Sequence, residues 1–149
     1  MTGVQTCALP IYVAGPLAAL LAFAGVAAAQ GEPQRLPLDQ TTSVGGIDFA
    51  CTGIGQEKQD PRWTAFPAKV EFADLQGDLI ADEVLSVANA KGETLATVKC
   101  EGPWILLRPT APGVYHVKGS FPEGTAPPQS GMFSIPGHVH LVFRFPAIH

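Results

Sequence analysis

Three histidines have a spacing that could bind a transition metal. His138 and His140 are two residues apart, so on a β-strand both side chains would project from one face. His116 lies on a predicted strand that could be their neighbour, also with an outward side chain. Imidazole nitrogens are suitable ligands for Cu(II) and Zn(II), and the three residues are therefore a candidate metal site. The alternative is that they lie on a solvated sheet face, because a His-x-His pair alone does not specify a metal.

Two tryptophans could provide a stacking surface for a sugar. Trp63 follows a proline and an arginine in a predicted loop, where an exposed indole ring would be free to contact a ligand. Trp104 opens the run WILL at residues 104–107, which is apolar on both faces and therefore belongs in the middle of a sheet. We expect Trp104 to lie in the core and predict Trp63 as the ligand-contact residue.

Residues for covalent catalysis and for calcium binding lack the spacing that such sites require. No serine lies in a Gly-x-Ser-x-Gly elbow, and no cysteine is expected to be free. Four acidic residues crowd one segment without the DxDxDG order of a calcium loop, so a solvated acidic turn is favoured. They are Asp74, Asp78, Asp82 and Glu83. The sequence therefore predicts that the protein is not an enzyme and implies no cofactor.

The beginning of the chain predicts export. Residues 12–29 are apolar, rich in alanine and leucine, and end in three alanines, which is typical of a signal peptide. The alternative is a membrane anchor, because the run approaches the length that spans a bilayer. We expect cleavage, a periplasmic or secreted protein, and no contact with the membrane afterwards. Residues 1–11 resemble a translated sequencing adapter and are interpreted as an artefact.

Two cysteines, Cys51 and Cys100, lie outside that adapter-like segment. An even pair in an exported chain is more often a disulfide than a redox or metal site. We therefore predict a disulfide between Cys51 and Cys100.

Length and charge limit the classes of function. The chain has 149 residues, enough for one small domain, with 13 acidic and 9 basic side chains. Because the basic residues never form a run, the sequence offers no surface for a polyphosphate backbone. Nucleic acid is therefore not expected as a partner.

The elements that would position these residues are short strands. Glycine and proline recur too often for long helices. Residues 84–88 and 94–100 flank a turn that contains Gly92, which predicts an antiparallel hairpin. In the strand over 139–145, alternate residues from Val139 to Phe145 point inward, and His140, Val142 and Arg144 point outward.

These strands predict one sandwich domain. We expect an extended leader over 30–43 and an all-β, two-sheet antiparallel β-sandwich over 44–149, the architecture of immunoglobulin-like domains. A barrel is the alternative architecture.

Three segments, taken in order, resemble one family. They are residues 101–107 (EGPWILL), 111–117 (APGVYHV) and 141–145 (LVFRF), preceded by a glycine motif at residues 52–55. Together they resemble small exported bacterial domains of the carboxypeptidase regulatory-like type, which have a transthyretin-like, or prealbumin-like, sandwich. The resemblance implies a non-catalytic accessory module, and the related superfamily includes carbohydrate-binding members. It implies no ligand residues, because a fold does not assign a ligand.

The sequence therefore predicts a periplasmic or secreted module that binds another molecule, with an unknown protein or carbohydrate as partner. In one form, an exposed sheet edge or the outward face of the last strand docks a protein. The alternative is a small-ligand binder, for carbohydrate through Trp63 or for copper or zinc through the histidines. The two forms differ in whether Trp63 or the three histidines lie together in a concavity.

Overall fold

A computed structural model describes residues 32–122 and 126–146 of the chain. The predicted signal peptide and the adapter-like segment lie outside the described residues. Within the described ranges, no helix has the length and apolar character that crossing a membrane requires.

Ten β-strands make up most of the described chain. They are β1 (Gln34–Arg35), β2 (Thr41–Val44), β3 (Ile47–Thr52), β4 (Ala68–Asp74), β5 (Glu83–Ala88), β6 (Thr94–Cys100), β7 (Trp104–Pro109), β8 (Gly113–Ser120), β9 (Gln129–Ile135) and β10 (Val139–Phe145). Two 3-10 helices, Gly55–Gln59 and Pro61–Ala65, lie between β3 and β4. The first ends before Asp60, because the ring of Pro61 clashes with the preceding residue when that residue has helical geometry.

The strands form two sheets of five. The first sheet has the order β1-β6-β5-β8-β9, and the second has the order β10-β4-β7-β3-β2. This arrangement confirms the predicted all-β, two-sheet sandwich. The prediction of wholly antiparallel sheets is wrong, because β1 runs parallel to β6 and β10 runs parallel to β4. Each parallel pair joins strands far apart in the chain, where no hairpin dictates direction.

Alternating side chains build the core between the sheets. On β8, Tyr115 and Val117 are buried while His116 and Lys118 are exposed, as the alternation in the sequence predicts. Burial of each large apolar side chain contributes about 1.5–3 kcal/mol. The core is therefore continuous between the inner faces of the two sheets.

Phenylalanines of the second sheet meet Phe121, which directly follows β8, in this core. The Phe121 and Phe145 ring centres are 4.8 Å apart and nearly perpendicular, and the Phe72 and Phe143 ring centres are 5.7 Å apart. Opposite them on β8, a Cβ added at Gly119 would lie 2.6 Å from the Phe72 ring. Glycine at this position therefore lets the first sheet approach the aromatic cluster of the second.

The predicted leader contributes an edge strand to each sheet. β1 pairs with β6 and β2 pairs with β3, so residues 34–44 are integral to the sandwich. Leu36, which follows β1, is 2% exposed and belongs to the core, and its amide donates to the Lys99 carbonyl at 2.9 Å. Burial of Leu36 therefore stabilises the docking of this segment.

The β5–β6 hairpin forms as the sequence predicts. Its two strands are antiparallel, and the turn is closed by the Asn89 side chain, whose oxygen accepts the amides of Lys91 and Glu93 at 3.0 Å each. Gly92 has a φ of 85°, which a glycine adopts without strain. Local turn chemistry therefore sets this hairpin.

Tyr115 anchors the turn between β7 and β8. Its hydroxyl donates to the Ala111 carbonyl at 2.6 Å, and its ring stacks on Phe133 at 5.5 Å. Removal of the hydroxyl alone, in Tyr115→Phe, keeps the ring but leaves that carbonyl without its donor. We expect a loss of about 1 kcal/mol in the free energy of unfolding, measured by urea denaturation. An unchanged urea midpoint would show that the hydrogen bond does not support the turn.

Candidate functional site

Trp63 does not form an exposed stacking surface. It is 8% exposed and packs with Phe66 against Ala50 and Leu106, in a small cluster on the outer face of the second sheet. Its indole N–H donates to the Glu57 carbonyl at 2.7 Å. The structure therefore corrects the prediction of Trp63 as a ligand-contact residue: the second 3-10 helix folds back and buries the ring.

Trp104 takes the more exposed position of the two tryptophans. It lies on β7, which is the central strand of its sheet as predicted, but its side chain is half-buried rather than part of the main core. Ile105 and Leu107 fill the inward positions, so alternation directs Trp104 outward. The Lys69 ammonium lies 3.9 Å above the ring centre, a cation–π contact that covers this face of the indole.

The three histidines do not come together. His116 lies on β8 in the first sheet. His140 lies on β10 in the second sheet, and His138 immediately precedes β10. The side chains of His116 and His140 therefore project from opposite faces of the sandwich. The predicted site fails because the chain passes from one sheet to the other between β9 and β10.

The nearest acidic partner of His140 is Glu71, with 3.5 Å between the imidazole Nε2 and a carboxylate oxygen. Among the described residues, no three His, Cys, Asp or Glu side chains are grouped so that they could hold a metal ion.

The acidic segment after β4 is a turn with one internal cap. The Asp74 carboxylate accepts the amides of Gln76 and Asp78 at 2.9 Å each. This carboxylate closes the turn, in agreement with the predicted solvated acidic turn. Glu83 departs from that interpretation, because its side chain is fully buried.

Glu83 is an ionisable group enclosed by the sandwich. It opens β5, where Leu85 and Val87 point inward, and it lies opposite Cys100 of β6 in the strand register. Neither carboxyl oxygen has a hydrogen-bond partner within the described residues. Burial raises the pKa of Glu83 to about 9, with a smaller increase from the charge of Asp82 and an opposing effect of the Glu83 backbone amide. The carboxyl is therefore uncharged at neutral pH.

The predicted disulfide joins the two sheets. Cys51 lies on β3 of the second sheet and Cys100 on β6 of the first, with 5.6 Å between their Cα atoms. Both residues are fully buried. The bond is therefore a structural cross-link through the core rather than an accessible redox pair.

The outer strand of the first sheet, β9, is a free edge without electrostatic protection. It pairs with β8 along all seven of its residues, and among the described residues no strand pairs with its other side. Its sequence QSGMFSI contains neither a charge nor a proline, and Met132 at its centre is 58% exposed. Sheet edges in natural proteins usually carry lysine, proline or a bulge, because unpaired backbone groups bind other strands.

The other edge strands differ from β9. β1 is two residues long and β2 is four. β10 equals β9 in length but carries His140 and Arg144 on its outward side. The edge of β9 is therefore the longest uncharged one in the described part of the sandwich.

The outer face of the first sheet carries two lysines, of which Lys118 lies on the strand next to β9 and Lys99 lies further away on β6. The strand register places Lys118 in a row between Ser130 of β9 and Ser86 of β5, and Lys99 beside Val84. Neither lysine forms an ion pair with any described residue, and both 3-10 helices belong to the other sheet's side. The chain as a whole has a net charge of −4.

Loops at one end of the sandwich enclose a cleft of about 370 Å³. Its walls are mainly apolar, and two of its polar side chains bond within the protein: Thr110 donates to the Gly46 carbonyl at 3.0 Å, and Tyr115 donates to the Ala111 carbonyl. Neither Trp63 nor the histidines line it. The residues predicted to bind a ligand therefore lie apart from one another and outside this cleft.

Comparisons with known proteins give no family for this chain. No family model matches it, and no curated protein matches it. Among solved structures, it is similar to 5-hydroxyisourate hydrolase of Klebsiella pneumoniae, with 21% sequence identity, a TM-score of 0.41, and coverage of 52% of this chain and 86% of that one.

That similarity fits the transthyretin-like form of the sandwich, while the carboxypeptidase regulatory-like type and the adapter resemblance stay predictions. The prediction that the chain is not an enzyme is not supported, as the similar structure is that of a hydrolase. At this degree of similarity it assigns no reaction to the chain. What the chain shows by its own structure is a two-sheet β-sandwich with an unprotected edge at β9.

Proposed function

We propose that this protein is an exported interaction module that binds an extended segment of a partner protein at β9. The observation that carries the proposal is the seven-residue edge of β9, which has no charge and no proline. An added strand would bind through main-chain hydrogen bonds, and its side chains would alternate between the two faces of the first sheet. β8 pairs with β9 along its whole length, so the backbone of β9 is already extended for a further strand.

The proposed location is the periplasm or the outside of the cell. The apolar segment at residues 12–29 supports export, and so does the Cys51–Cys100 disulfide, because such bonds persist in oxidising compartments.

Binding to β9 is tested with a neutral strand-forming peptide, acetyl-(Thr-Val)4-amide. In an NMR titration of the protein, we expect the backbone amides of β9 to shift and to become protected from hydrogen exchange. The matched control is the same peptide with alternate amides N-methylated, which keeps the side chains and removes main-chain donors. We expect it to bind at least about tenfold more weakly, because main-chain hydrogen bonds supply the affinity. Equal binding of both peptides, or shifts confined to other strands, would contradict the proposal.

A second copy of the chain could occupy the same edge, and sedimentation of the protein alone tests this. Met132→Lys places a charge on an exposed position at the middle of β9. A dimer that this substitution dissociates would assign β9 to self-association and overturn the proposal. A monomer that loses peptide binding in Met132→Lys supports it.

A further inference from the structure

The segment that binds at β9 would lie near Lys118 on the outer face of the first sheet. Neighbouring strands lie about 4.8 Å apart, so a strand added at β9 is about 10 Å from β8. Lys118 is on β8, directly opposite Ser130 in the register, and is exposed. Because the serine is short, the lysine side chain can extend over it towards the added strand.

The other outward side chains of β9 add no charge. They are Met132 and Ser134, and His116 lies opposite Met132 on β8. The described residues give Lys118 no acidic partner. The boundary between β8 and the added strand therefore has an ammonium that pairs with no described carboxylate, and the register rows beside it hold none.

We propose that the partner segment is acidic on its outward side, with a carboxylate opposite Ser130 that pairs with Lys118. This inference rests on the proposed function of β9. The inner side of the segment faces Gly131 and Phe133, which lie at the rim of the core. An apolar residue on that side would contact Leu141 and Phe143, the nearest side chains to Gly131. The pattern that fits β9 is thus an alternation of acidic and apolar residues.

Two peptides of equal shape test the charge: acetyl-(Asp-Val)4-amide and acetyl-(Asn-Val)4-amide. We expect the aspartate peptide to bind about fivefold more tightly at low salt, which is the range of one exposed ion pair. The overall charge of the protein is −4 and opposes this preference, so a preference for aspartate must come from a local contact. About 0.5 M NaCl should reduce the difference, because exposed ion pairs are screened.

Substitution of Lys118 identifies the local contact. In Lys118→Gln, we expect the two peptides to bind with nearly equal affinity, while the asparagine peptide binds as it does to the unsubstituted protein. The matched control is Lys58→Gln, an exposed lysine on the first 3-10 helix, which should keep the preference for aspartate. Retention of the preference in Lys118→Gln, or its loss in Lys58→Gln, would overturn the inference.

The outcome of these titrations separates the inference from the proposed function. Equal binding of the aspartate and asparagine peptides at β9, still weakened by N-methylation, would overturn only the acidic partner. Failure of every peptide to shift the β9 amides would overturn both.

Discussion

Glu83→Gln should stabilise the protein by roughly 4 kcal/mol at pH 8 and remove most of the pH dependence of its stability between about pH 5 and pH 8. Glutamine has nearly the shape of the protonated glutamic acid that the interior holds, but it cannot ionise. The substitution therefore leaves the packing of β5 nearly unchanged and removes one titration.

The direction follows from the two pKa values of Glu83. Burial raises the pKa in the folded protein from 4.5 to about 9, so between these values the folded chain binds a proton that the unfolded chain releases. The stabilisation from this proton is complete below about pH 4.5 and is lost as the pH rises to about 9. The slope is roughly 1.4 kcal/mol per pH unit.

Asp48 makes the stability of the protein depend on pH in the opposite direction, and only in acid. A hydrogen bond from Ser43 and the guanidinium of Arg108 lower the pKa of Asp48. The stabilisation from that carboxylate is present above its usual pKa of 3.8 and is lost as the pH falls further. The contribution of Asp48 to the free energy of unfolding therefore changes at a lower pH than the contribution of Glu83.

Urea denaturation across this pH range measures the effect of Glu83. The control variant is Glu57→Gln, an exposed glutamate on the first 3-10 helix, which should follow the unsubstituted protein. Parallel pH profiles for Glu83→Gln and the unsubstituted protein would show that Glu83 is not the buried acid responsible.

Removal of the disulfide in Cys51→Ala/Cys100→Ala should lower the free energy of unfolding by about 4 kcal/mol. The bond closes a loop with a sequence separation of 49, which restricts the unfolded chain. Both cysteines are fully buried, so part of the loss also comes from the two sulfur atoms removed from the core.

Comparison of the oxidised protein, the reduced protein and the double variant by urea denaturation tests this loss. Reduction should give most of the loss, because it opens the same loop, and substitution should give somewhat more, because it also removes the two sulfur atoms from the core. A loss below about 1 kcal/mol in both would contradict the entropic role of the bond.

Local features of the sequence account for much of the fold. The alternation in β8 and β10 predicts which side chains are buried, and the Asn89–Gly92 turn fixes the β5–β6 hairpin. The same period of two already directs Glu83 inward with Leu85 and Val87. The other acidic residues of the same segment instead favour a solvated turn.

The arrangement of strands in space required the structure. A single-strand pattern does not tell whether β8 and β10 share a sheet, so the histidines could not be separated in advance. The burial of Trp63 depends on how the second 3-10 helix folds onto Leu106, which is distant in sequence. The free edge of β9 is likewise a property of sheet order rather than of its residues alone.

The bond between the two cysteines has a consequence for a molecule that a protease has cut once. Its ends enclose the β5–β6 hairpin and both 3-10 helices. A single cut anywhere in residues 52–99 would leave two pieces that stay covalently attached. A nicked molecule would thus migrate as one species on a denaturing, non-reducing gel. Under native conditions, the disulfide would hold the two pieces together and the uncut strands could stay paired.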